Sequence, residues 1–119
     1  MKSFTELKAW QLGIELVKEV YLLTGKFPKE ELYGLTSQLR RSCTSIVANI
    51  AEGFGRYTYP DKAHKYTIAR GECAEAETEL FVAIALGFIS QKEAEKAQNL
   101  LGHIGRAISG LINSCKHHS

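Results

Sequence analysis

The sequence predicts an all-α fold, an antiparallel up-and-down four-helix bundle, on three observations. Apolar residues recur at spacings of three and four in four separate segments, the period of a helix with one buried face. No segment alternates apolar and polar residues for long enough to supply a sheet. The 119 residues, 45% of them hydrophobic, suffice for one packed core and leave no room for a second, so the chain reads as a single domain over 1–119.

The first series is Leu7, Trp10, Ile14, Val17 and Tyr21, widened by Leu16, Val20 and Leu23. Ser3 and Glu6 have capping-box spacing, and Gly25 and Pro28 end the pattern, which predicts a helix over about 5–24. Pro28 followed by Lys29, Glu30 and Glu31 suits a short helical turn in the connection. The second helix carries Leu35, Leu39, Cys43, Ile46 and Ile50 to about Glu52 or Phe54, where Gly53 and Gly55 supply the stop. Its Ser42, Ser45, Ala48 and Asn49 are small enough for another helix to come close, and polar enough to form a binding surface.

Thr58, Pro60 and Asp61 form the start of a third helix. Its core register is Tyr66, Ala69, Cys73, Ala76, Leu80 and Ile84, joined by Phe81, Ala83 and Leu86, and it stops at Gly87. Such a long helix needs a long partner. Ser90 and Glu93 form the capping box of the fourth, whose apolar face runs through Ala97, Leu101, Ile104, Ile108, Leu111 and Cys115. The short turn between them makes a helical hairpin.

Charge and cysteine set milder limits. Lys and Arg number 15 against 13 Asp and Glu, and a formal net charge of +2 does not by itself call for nucleic acid. Cys43, Cys73 and Cys115 are an odd set without a Cys-x-x-Cys pair, which points to reduced, buried thiols. No leader-like segment opens the chain, and no apolar run approaches the roughly 20 residues that span a bilayer. The expectation is a cytoplasmic protein with no membrane partner.

Signatures of catalysis are missing. There is no Gly-x-Ser-x-Gly, P-loop or Gly-x-Gly-x-x-Gly, and no Arg-x-x-x-x-His. The inward Glu-x-x-His pairs of a di-iron bundle are absent, since three residues before His64 stands Asp61 and before His103 stands Leu100. His117 and His118 read as a frayed tail. Cys73 has no helpful histidine and points inward by periodicity. No catalytic residue, metal or cofactor is expected.

Binding residues are better candidates. Arg56, Lys62, Lys65 and Arg70 are opposed in their stretch only by Asp61, and Lys62 and Lys65 share a helical side with Tyr59 and Tyr66, an arrangement suited to single-stranded bases. Arginine can clamp phosphate, and Arg40 and Arg41 point about 100° apart, so that one can enter an internal ion pair with Glu75, Glu77 or Glu79 while the other faces solvent; both are candidates for nucleic-acid binding. Trp10, Phe54, Tyr57, Tyr59 and Phe88 lie near helix ends, where they either plug the bundle or anchor a subunit interface.

The segments Phe27-Pro28, Tyr33-Gly34-Leu35, Gln38, Arg40-Arg41, Ser45-Ile46 and Ala48–Gly53, followed by Ile68-Ala69-Arg70-Gly71 and Glu75-x-Glu77-Thr78, carry a resemblance. Over residues 5–115 the chain resembles the S23-type proteins encoded by intervening sequences of bacterial 23S ribosomal RNA genes. The resemblance implies an antiparallel bundle that assembles into five-membered rings with a central channel. It extends to the accessory subunits of diversity-generating retroelements, whose basic ring associates with reverse transcriptase and nucleic acid. It implies no catalytic residues. The function expected is therefore a non-enzymatic, homo-pentameric helical scaffold associating with RNA or DNA. The alternatives are a protein–protein scaffold without nucleic acid and an enzyme of unrecognised type.

Overall fold

A computed structural model describes residues 2–118. A 3-10 turn at Phe4–Glu6 leads into helix α1 (Lys8–Thr24), a second turn at Lys29–Glu31 into α2 (Leu35–Gly55), and α3 (Tyr59–Ala85) and α4 (Gln91–His118) follow with short connections. Successive helices pack side by side and α4 closes against α1, so α1 and α3 occupy diagonal corners. The result is a rod of 46 × 24 × 21 Å. Among the described residues there is no strand.

The predicted stripes are the core. Leu16, Leu39, Ile46, Ile50, Leu80, Ile104 and Ile108 are fully buried, each contributing about 1.5–3 kcal/mol by leaving water. All three cysteines are buried and free. The close approach anticipated on α2 occurs at two glycines elsewhere in the register. A Cβ on Gly13 of α1 would overlap Val47 of α2, and one on Gly53 of α2 would overlap the Tyr66 ring of α3.

Helix boundaries follow local chemistry. Thr58 Oγ1 accepts from the Asp61 amide at 3.2 Å. Ser90 and Glu93 form a reciprocal capping box, at 3.1 Å from the Glu93 amide to Ser90 Oγ and 2.9 Å from the Ser90 amide to Glu93 Oε1. Lys26 Nζ reaches Glu93 at 2.8 Å, and these bonds hold its carboxyl at about 2. At the end of α3, Gly87 takes φ 76°, and the amides of Phe88 and Gly87 return to Ala83 O and Ile84 O. That is a Schellman stop.

Two termini differ from expectation. Ser3 accepts from Thr5, and Glu6 from the amide of Lys2, so this pair caps the 3-10 turn, and α1 itself starts three residues later than the predicted 5. The histidine tail is helical rather than frayed: α4 continues through His118, whose ring stacks on Tyr59 with centroids 4.9 Å apart.

Candidate functional site

Up-and-down packing gathers the C-terminal turns of α2 and α4 and the first turns of α3 at one end of the rod. Lys62 donates to the Phe54 carbonyl at 2.6 Å and lies 5.5 Å from the centre of the Phe54 ring, satisfying an orphan carbonyl at the α2 terminus. Lys65 pairs with Glu52 at 2.9 Å and Arg56 approaches the same carboxylate at 3.9 Å. The Lys65 bond, with Arg56 adding its charge, holds Glu52 below the usual carboxylate range. Arg56, Asp61, His64 and Lys65 line a shallow recess of about 220 Å³. Tyr57 projects from this end, 99% exposed.

The predicted basic residues do not form one patch. Arg56, Lys62 and Lys65 share this end, and Glu52 enters among them from the preceding helix. Arg70 lies apart, beside Arg106 and Glu77 in an open groove between α3 and α4. Arg40 enters no carboxylate pair: its Nε donates to Thr24 Oγ1 at 2.8 Å and its guanidinium stacks 4.4 Å from the Tyr21 ring centre, tying α2 to α1. Arg41 is exposed, close enough to Glu72 and Glu79 to favour their ionisation.

Aromatic residues are likewise divided. Tyr66 is buried under Gly53, with its phenol pushed up to about 12 by burial, and cannot stack on a base beside Lys62. Trp10 packs edge-on against Phe4 at 5.4 Å, Phe88 against Phe27 at 5.6 Å, and with Phe54 both are partly buried against the core. Tyr57 and Tyr59 face outward.

Sequence reasoning reached the opposite end only in part. Phe81 and Leu86, which broaden the core register of α3, are 53% and 60% exposed, with Val82 beside them. Leu22 in the last turn of α1 is 70% exposed and Tyr21 is half exposed. The available signal was width. Apolar residues at 80 to 84 and 86 cover more of the helix circumference than one core can receive.

Below that end lies the buried acid Glu79, 8% exposed and bonded by Ser42 Oγ at 2.8 Å. Burial raises its pKa; the Ser42 bond opposes the shift, Glu75 and Glu72 add to it, and Arg41 opposes it. The Ser42 hydroxyl has one proton for two acceptors, Glu79 and Gln38 O at 3.0 Å; a protonated Glu79 resolves this by donating to Ser42 Oγ while Ser42 donates to Gln38 O. Cys43 and Cys73 are pushed up to about 12, mainly by burial, so Cys73 carries no thiolate at neutral pH. Among the described residues no group of three or more His, Cys, Asp or Glu could hold a metal ion, and no helix is long and apolar enough to cross a membrane.

The sequence profile of the 23S rRNA-intervening sequence proteins matches residues 5–110. The chain belongs to that family. Its fold is similar to the 1.70 Å crystal structure of a protein of unknown function from the S23 ribosomal protein family of Bacteroides thetaiotaomicron VPI-5482, with TM-score 0.80 and 25% identity over 87% of this chain and 97% of that one. No curated protein matches the chain. Family membership accounts for the bundle, and neither description names a reaction.

Proposed function

We propose that this intervening-sequence protein is a non-enzymatic subunit of a homo-oligomeric ring, pentameric as the family resemblance implies. One observation carries the reading: two exposed apolar patches lie at the same end of the bundle on diagonal helices, Phe81, Val82 and Leu86 on α3 and, on α1, Leu22 beside the Tyr21 ring that Arg40 covers in part. A copy that buries its α3 patch against a neighbour's α1 patch leaves its own α1 patch for the next, a head-to-tail contact that closes into a ring when the rotation permits. Sedimentation across a dilution series tests this: the reading requires a mass near five times the 13.2 kDa chain, and a single-chain mass at every concentration contradicts it.

Nucleic acid is the second reading, favoured by Tyr57 standing fully exposed next to Arg56 at the opposite end. A ring repeats that pair around its axis, and avidity amplifies a weak contact. Against it, Lys62 and Lys65 are already engaged, and a +2 chain lacks the strongly basic character of retroelement accessory rings. Titration with structured ribosomal RNA and single-stranded DNA, at low and physiological salt, should give binding that weakens with salt and is lost in Tyr57→Ala. No binding at either salt leaves a protein-only scaffold. Three buried thiols suit a reducing compartment, and we assign the protein to the cytoplasm.

A further inference from the structure

Between the end of α1, the following connection and the first turns of α2 lies a recess of about 270 Å³, near the lower limit of about 300 Å³ for small-molecule pockets. Its apolar walls are Phe27, Pro28 and Leu32; its polar groups are Thr24, Thr36 and Arg40. Thr36 is the decisive residue. It is only 3% exposed, yet its hydroxyl makes no hydrogen bond to any described residue. No sealed side-chain oxygen or nitrogen among the described residues lacks a partner, so this hydroxyl keeps an open side, and the open space that Thr36 lines is the recess. A ligand acceptor in the recess would give this hydroxyl its partner, worth about 1 kcal/mol net of the water it displaces.

Positive potential converges on the same space. Arg40 uses Nε on Thr24 and is held in place by the Tyr21 ring, leaving its two terminal nitrogens without a partner among the described residues. Lys29 adds a second cation to the lining. Thr36 is the second residue of α2, whose N-terminal end favours an anion. The nearby acid Glu31 is turned to the helix itself, its Oε1 accepting from the Leu35 amide at 3.1 Å.

We infer that this recess binds a small organic monocarboxylate, its carboxylate taken by the free edge of Arg40 and the Thr36 hydroxyl, its apolar body by Phe27, Pro28 and Leu32. A guanidinium edge matches two carboxylate oxygens. The apolar walls decide between anions: they are left unused by a bare phosphate and are covered by a carboxylate that carries a branched or aromatic body. The carboxylate can belong to a free acid or to the C-terminus of a peptide ending in an apolar residue.

The test is titration of the full chain, in whatever assembly it forms, with isocaproate, hydrocinnamate, isocaproamide, and a blocked tripeptide ending in leucine with a free or an amidated C-terminus. Amide shifts of residues 24–40 and calorimetry are the readouts. Saturable binding of an acid or of the free-ended peptide, absent for the neutral amides, is expected. Thr36→Val should weaken it about fivefold to tenfold, the value of one net hydrogen bond, and Leu32→Asp, an exposed change that repels an anion, should abolish it. Both variants should keep the wild-type melting temperature. Binding of the acids alone identifies a free-acid ligand; binding of the free-ended peptide identifies a chain terminus. The inference is overturned if no carboxylate saturates, if the amides bind equally well, or if both variants bind like the wild type.

Discussion

At one end of the rod, side chains that look available are already engaged: Lys62 caps α2 through the Phe54 carbonyl, Lys65 and Arg56 share Glu52, and Tyr59 stacks on His118. At the other end, Phe81, Leu86 and Leu22 project from helices whose core faces are already satisfied, and no described residue covers them. A charged residue has local partners within reach in its own fold, and a capping carbonyl or a neighbouring glutamate answers it. An apolar side chain beyond the width of the core can be answered only by another molecule. Surface cations are therefore a weak guide to partners here, and surplus apolar area is a strong one.

The contrast can be broken at the basic end by overfilling it. Gly53→Ala drives a methyl into the buried Tyr66 ring and should cost about 1–3 kcal/mol in chemical denaturation. Gly110→Ala, where a Cβ meets open space, should instead stabilise by up to about 1 kcal/mol through helix propensity. Equal effects at the two sites would contradict the packing described.

A second test lies beneath the apolar end. Because the folded-state pKa of Glu79 is raised, folding is hindered when the group ionises: the penalty is absent below the ordinary value near 4.5, grows as pH rises through the folded pKa, and is complete above it. Glu79→Gln should keep an acceptor for Ser42 and melt above the wild type at neutral pH. The difference should close in acid. A variant less stable than wild type at neutral pH would show that the ionised form is the favoured one.

Smaller effects belong to the engaged cations. Lys62→Met should lose about 1 kcal/mol with the α2 terminal bond, measured by thermal or urea unfolding. Lys65→Ala should leave the melting temperature within error, while an NMR titration finds Glu52 returning toward the ordinary carboxylate range.

Most of the fold was legible in the sequence because burial imposes a period. Leu39, Ile46, Leu80 and Ile108 lie inside, as their spacing requires, and the Thr58 and Ser90 caps form where hydroxyl chemistry demands. Periodicity fails where a stripe is too wide. Phe81 and Leu86 satisfy the helical pattern and still face water, since spacing fixes an angle and not where the neighbouring helix ends. Pairing across helices was less legible. Nothing local shows that Arg40 chooses Thr24 and Tyr21 over a carboxylate, or that Glu79 meets Ser42, because the partners lie 16 to 37 residues apart. The unpartnered Thr36 hydroxyl was invisible for the same reason.

The most direct measurement is the mass of two surface variants, separately and mixed. Leu22→Asp and Phe81→Asp each spoil one patch and spare the other, so the head-to-tail account predicts single chains from either alone and two-chain particles from an equimolar mixture. Wild-type mass from either variant, or a mixture that stays single-chain, would contradict it.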